Sequence, residues 1–335
     1  MTMKKILNDP YAYVDEMLDG LCAAHPDLYR RTGESGRVIV RANGPTPGRV
    51  GVVSGGGSGH LPVFTGYVGP GLLDACAIGD VFASPSVEQM AEAMRAAHGG
   101  AGVLRLYGNY GGDVMNFDMA GEMLELEDVA STTVLLADDV ASAPEAEREK
   151  RRGVAGMVYA FKMAGGAAEA GGDLAEVTRI ATKAADACRS IGAALTSCTV
   201  PQAGKPTFTI GDDEMEMGMG IHGEPGVWRG GLKPADAIAN EMIDLLLADQ
   251  PLTKGERVSV LVNSLGATPP EELYILYRVV QARLGALGID IVMPLVGRYA
   301  TSMEMTGVSF TVCRLDGELE RFLRAPAHCA FWTVS

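Results

Sequence analysis

The chain has 335 residues, 47% of them hydrophobic, and its 42 acidic side chains outweigh 28 Lys and Arg to leave a net charge of −14. That length favours two domains over one, and that charge argues against nucleic acid or an anionic membrane surface as a partner. The apolar runs are too short to span a bilayer. The N-terminal "MTMKKILNDPYAY" has no apolar segment of signal-peptide length, and the six cysteines, none in a C-x-x-C, read as reduced thiols of a cytoplasmic protein.

Asp9-Pro10 opens a helical pattern that runs to about Ala24. Short β-rich runs follow: "RVIVRA", "RVGVVS", "DACAIGD", "GVLRLYG" and "TTVLLADD". Between them a helix is expected over "SPSVEQMAEAMRAAH", with Ser84 as its cap and Pro85 in its first turn, and another over "VMNFDMAGEMLELE". His25 and His98 read as helix C-terminal residues, where a cation suits the dipole. Strands alternating with helices indicate an α/β sheet, in which loops at the carboxyl ends of strands build the ligand site. Three glycine-rich turns fall just beyond strand-like runs: "SGGGSGH", "IGDVFASPS" and "YGNYGGD".

Residues 153–192 read as two helices broken near 171–172, and "CTVPQAGKP" as a linker. A second mixed unit follows, with strands over "TFTIG", "EMEMGMGI", "RVSVLVNS", "IDIVMPLVG" and "VSFTVCRLD" and helices over "PADAIANEMIDLLLAD" and "PPEELYILYRVVQARLGALG". The fold class is thus α/β in two mixed domains, each a central sheet flanked by helices. The expected division is 1–195 and 196–321, with a tail of about 322–335 that packs back on the first.

Three places carry candidate chemistry. Gly55 to His60 follows a strand as a phosphate loop would, but His60 stands where the lysine of G-x-x-x-x-G-K-[ST] is needed, so no nucleotide motif is made. Either the glycines serve a tight turn or close packing, or bare backbone N–H groups lie beside a small polar ligand with His60 over it. Asp113, after two glycines at a helix start, is either a cap or a general base held in a narrow turn; Asn109 and Asn116 read as structural hydrogen-bonders. His222, in "MGMGIHGEPGVWRGG", is either an idle loop histidine or an imidazole that Gly223 leaves open to a ligand. The acidic "GDDEMEMG" has no calcium-loop spacing and reads as a solvated strand end, and the methionines of 215–219 read as a sheet face.

Together, "SGGGSGH", "GDVFASPS", "NYGGDVMNF" and "GIHGEPG", in this order and at these separations, resemble the substrate-binding subunit of the dihydroxyacetone kinase family, over essentially the whole chain to the terminal "CAFW". The resemblance implies that His222 adds to the carbonyl of a short ketose to give a hemiaminal, which a polyol without a carbonyl cannot form. It implies that His60 hydrogen-bonds the substrate and assists proton movement. Asp113 would accept the proton of the attacking hydroxyl, and the backbone of Gly57, Ser58 and Gly59 would cradle the ketose. It further implies a homodimer that binds no nucleotide or metal itself. ATP or ADP with Mg²⁺ is expected on a separate helical subunit, either nucleotide-exchanging or rephosphorylated by a phosphotransferase system. Two positions depart from the family: Leu61 replaces a Glu, and Gly108 replaces a substrate-binding Lys. The second implies a roomier pocket and sets erythrulose beside dihydroxyacetone as substrate. Two other readings compete: a ketose-sensing module acting on a regulator, which would not need Asp113, and a nucleotide-binding α/β enzyme, which the missing lysine disfavours.

Overall fold

In the computed structural model, which describes residues 4–335, the chain builds two sheets, each covered by helices. Helix α1 (Tyr13–Ala24) leads into β1 (Tyr29–Thr32), β2 (Val38–Arg41), β3 (Gly51–Ser58), β4 (Ala75–Val81), helix α2 (Val87–Ala97), β5 (Val103–Gly108), helix α3 (Gly111–Glu125) and β6 (Ser131–Leu136). These strands form one sheet in the order β1-β2-β4-β3-β5-β6. Strands β3 to β6 run parallel, with β1 and β2 as an antiparallel edge. Every residue of β3 and β5 is buried, as strands covered on both faces require. Because β4, β3 and β5 are parallel neighbours, their carboxyl ends emerge side by side.

Helix α2 begins two residues later than Ser84 and Pro85 suggest. Its cap is Ser86, whose hydroxyl accepts from the Gln89 N–H while the Gln89 side chain accepts from the Ser86 N–H. The reciprocal pair satisfies two otherwise orphaned donors, and S-x-x-Q is the pattern that makes it. His25 and His98 are the C-terminal caps of α1 and α2, as expected.

The next helices, α4 (Gly156–Glu169) and α5 (Leu174–Ala187), are separated by Gly171 at φ +85°, and Asp173 caps the second by accepting from Glu176 N–H. The helical reading stops short of 192, because β7 (Cys188–Ala194) is a fully buried strand. The expected linker is a small hairpin, β8 (Thr199–Val200) and β9 (Lys205–Pro206). Then come β10 (Glu214–Met217), β11 (Trp228–Gly231), α6 (Ala235–Asp249), β12 (Arg257–Ser264), α7 (Pro270–Ala286), β13 (Asp290–Ile291), β14 (Leu295–Gly297), β15 (Gly307–Leu315), α8 (Gly317–Arg324), β16 (Ala327–His328) and β17 (Thr333–Val334). "TFTIG" forms no strand; Phe208 instead packs its ring under Gly223. Met215, Met217 and Met219 are buried, as their alternation indicates.

The second sheet has the order β11-β10-β7-β15-β12-β13, with β14 beside β12. Strand β7 is therefore central to it, paired with β15 over seven residues and with β10. A division after 195 would separate β7 from these partners; we place the boundary before Cys188. The tail returns to the first unit: His328 N–H donates to the Pro70 carbonyl, and Ala330 N–H to the Tyr29 hydroxyl. Among the described residues no helix is long and apolar enough to cross a membrane.

Candidate active site

The glycine run belongs to a strand. Gly55 to Ser58 continue β3, and the backbone of β4's outgoing loop lies against them. A Cβ on Gly57 would stand 2.7 Å from the Ala83 nitrogen and 2.8 Å from Phe82 Cα, so only glycine admits this approach. The chain then turns at Gly59, φ +101°, and delivers His60 into the interior, 1% exposed.

His60 is held from the other unit. Its Nδ1 lies 2.6 Å from the Thr301 carbonyl oxygen, and Met303 N–H donates to the Gly59 carbonyl at 2.8 Å. The ring stacks on Phe82, centroids 4.9 Å apart. His222 comes from the loop after β10. Its Nδ1 lies 2.9 Å from Glu224 Oε1, while Glu224 Oε2 accepts from the His222 backbone N–H at 2.9 Å. Tyr110 meets the His222 ring edge-on at 4.7 Å and donates its hydroxyl to the Gly153 carbonyl. The two imidazoles, 162 residues apart in sequence, face each other Nε2 to Nε2 at 3.0 Å.

These contacts fix the protons. A carbonyl and a carboxylate only accept, so both Nδ1 atoms carry hydrogen and donate. The Nε2 atoms of the two rings then face each other at 3.0 Å. Burial, and secondarily the charge of His222, push His60 down to about 3. Burial alone would raise Glu224, but the hydrogen bond and charge of His222, with Arg152 behind, hold it at about 2.

Asp113 sits in the first turn of α3, but the cap position is Tyr110, so Asp113 is not the helix cap. It is 5% exposed, and its Oδ1 has no hydrogen-bond partner. Burial pushes it up to about 6, against the pull of the Ser84 hydroxyl and of His222. Asn109 donates to the carbonyls of Glu149 and Arg151, and Asn116 to that of Pro85, the structural roles expected of them. Among the described residues no three His, Cys, Asp or Glu side chains group as a metal site.

The position of Gly108 is not vacant. A Cβ there would lie 3.1 Å from the Tyr110 ring and 3.3 Å from Met157 Sδ, so Tyr110 already fills the space expected to be gained. Leu61 lines a cleft of about 450 Å³ with Tyr13, Met17 and Arg298. Four residues around the histidines escaped the sequence reading. Glu224 and Tyr110 lie inside motifs singled out for their neighbours, and Phe82 inside "GDVFASPS". Thr301 acts through its carbonyl and leaves no side-chain signal.

Two facing imidazoles and a buried carboxylate, with His60 and Asp113 just beyond the carboxyl ends of the parallel strands β3 and β5 and His222 on a loop of the second sheet, suit addition to a carbonyl and activation of a hydroxyl. Residues 19–331 match the Dak1 domain, and the chain belongs to that family. It is 45% identical over 332 residues to the dihydroxyacetone-binding subunit DhaK of PTS-dependent dihydroxyacetone kinase 2 from Listeria innocua, covering 99% of this chain and 100% of that one. It is also 45% identical over 325 residues to the D-erythrulose kinase of Mycolicibacterium smegmatis, covering 97% of this chain but 56% of the relative. The crystal structure of the dihydroxyacetone kinase of C. freundii superposes with a TM-score of 0.90 at 34% identity, over 100% of this chain and 61% of that one.

Proposed function

We propose that this chain is the ketose-holding part of a dihydroxyacetone kinase-like phosphotransferase, taking dihydroxyacetone or erythrulose. The observation that carries the reading is the facing pair of imidazoles, each anchored through Nδ1. As the ketone enters, the His222 Nε2 lone pair, left bare by the Nδ1 proton held on Glu224, faces the carbonyl carbon. That lone pair forms the C–N bond, the carbonyl π pair moves to oxygen, and a proton from solvent, passed across by His60, neutralises that oxygen. The product is a neutral carbinol on an N-substituted imidazolium, whose charge faces Glu224. Asp113, ionised above about pH 6, takes the proton of the terminal hydroxyl as it attacks the phosphoryl group. The backbone of Gly57, Ser58 and Gly59 supports the polyol.

The donor, a helical unit carrying ATP, or ADP rephosphorylated in place, with Mg²⁺, would supply the phosphoryl group; this chain contributes position and base. A phosphotransferase-system link, as in the name of the Listeria relative, is one form of that donor. The six free cysteines, five of them buried, suit the reducing cytoplasm. A homodimer completes the reading. The test is intact-mass measurement under native conditions, with a crystal soak, on the wild type and His222→Ala. The wild type gains the mass of the ketose and the variant, equally folded by circular dichroism, does not. Density showing a ketose bound without a link to His222 refutes the capture step.

A further inference from the structure

Glu224 is itself held from behind. Arg152 lies on the segment between β6 and α4, with its side chain 15% exposed. Its Nη2 stands 2.7 Å from Asp139 Oδ2, and its Nε donates to the same oxygen at 2.9 Å. Asp139 is 1% exposed, and its Oδ1 accepts from Ala141 N–H, so the guanidinium is clamped at that end. The other end crosses to the second unit: Nη2 donates to the Gly218 carbonyl at 3.4 Å, and Nη1 lies 3.9 Å from Glu224 Oε2. Among the described residues Arg152 is the only Lys or Arg within 4.0 Å of Glu224. Gly220 leaves the room, since a Cβ there would stand 2.3 Å from Glu224 Oε2 and 2.9 Å from Arg152 Nη1.

We propose that Arg152, braced on Asp139 of one unit, is a positioning residue that keeps Glu224 of the other in its two-oxygen grip on His222. The imidazole thereby keeps its Nδ1 proton and presents Nε2 to the ketone. This rests on the covalent-capture reading for its consequence but not for its geometry. The grip needs an ionised Glu224, because a protonated carboxyl would offer one oxygen as a donor and release either the ring or the backbone N–H. A fixed guanidinium favours the ionised form. The charged and titratable groups facing the imidazole pair are Glu224, Arg152, Asp113 and Tyr110, with Asp139 behind Arg152. Asp138 faces away: its carboxylate accepts from Val154 N–H, Gly156 N–H and the Ser190 hydroxyl. Removing the cation leaves Glu224 easier to protonate, which frees one of its two oxygens from the grip and lets the imidazole exchange its Nδ1 proton.

The test uses three proteins: wild type, Arg152→Lys, and Arg152→Gln combined with Asp139→Asn, which avoids stranding a buried carboxylate. Imidazole ¹⁵N shifts of the ketose-free proteins are followed from pH 5 to 9, and ketose adduct formation is measured beside them. The expected result is an Nδ1–H tautomer for His222 in the wild type and the lysine variant. The double variant gives mixed tautomers and an adduct formation rate lowered roughly 10-fold at neutral pH. A double variant with the wild-type tautomer and adduct rate overturns the proposal. If the wild type forms no adduct at all, covalent capture fails, while the ¹⁵N shifts still decide the role of Arg152.

Discussion

Asp113→Asn is expected to stabilise the protein in one pH range while disabling transfer. Burial raises the Asp113 carboxyl from 3.8 to about 6 in the folded chain, so folding binds a proton more tightly there than the unfolded chain does. Below about pH 3.8 both states are protonated and nothing is lost. As pH rises through about 6 the native state must hold an ionised carboxylate with one unpartnered oxygen. A displacement of about two pH units at 1.36 kcal/mol each is a loss of roughly 3 kcal/mol, fully developed above about pH 7. Asparagine has no such titration. Its buried amide brings a cost of its own, ~1–3 kcal/mol if a donor is left unpaired, but that cost does not vary with pH. The measurement is therefore the difference in unfolding free energy between variant and wild type, by urea titration at pH 4, 5, 6, 7 and 8. It should climb by roughly 3 kcal/mol in favour of the variant between pH 4 and 7 and then level off. Turnover with the donor unit should fall ~10²–10⁴-fold while ketose binding persists. A stability difference that is flat across this range refutes the desolvated carboxylate, and unimpaired turnover refutes its role as base.

His60→Ala should retain some adduct, since His222 keeps its hold on Glu224, but lose transfer; intact mass and a coupled assay separate the two. Gly108→Lys should shift the specificity constant toward dihydroxyacetone over erythrulose, by at most roughly 10–200-fold, only insofar as the lysine displaces the Tyr110 ring that now fills the space beside it. Tyr110, 3.1 Å from the new Cβ, must yield for the lysine to extend, and an unchanged ratio of the two ketoses would dismiss Gly108 as a determinant. The isolated 335-residue chain should turn over no ketose with ATP and Mg²⁺, and robust turnover of pure material would end the two-component reading.

The alternation of helix and strand was legible because continuous apolar runs such as "GVLRLYG" have nowhere to go but a covered sheet. Candidate positions were legible where glycine marked a close approach, as before His60 and Asp113. The failures have definite causes. "CRSIGAA" carries a helix-compatible composition, and only its pairing between β10 and β15 makes it a strand. The glycine run read as a turn because its strand character comes from its parallel pairing with β4, not from its own side chains. The anchor of His60 is a main-chain oxygen 241 residues away, which no local pattern encodes. The space at Gly108 was misjudged because the ring that fills it stands only two residues on, in a motif read for its glycines.

The clasp between the Thr301 carbonyl and His60 has a consequence for the life of the protein before it is complete. Residue 301 leaves the ribosome long after residue 60. Until it arrives, the imidazole of His60 has no fixed tautomer, and until Glu224 folds over, neither has that of His222. A partly made or partly unfolded chain thus carries two ordinary histidines with no special appetite for the carbonyl metabolites around it. Under the proposed covalent capture, reactivity would switch on only when both halves of the polypeptide have docked, so the fold would act as a safety catch on the His222 nucleophile.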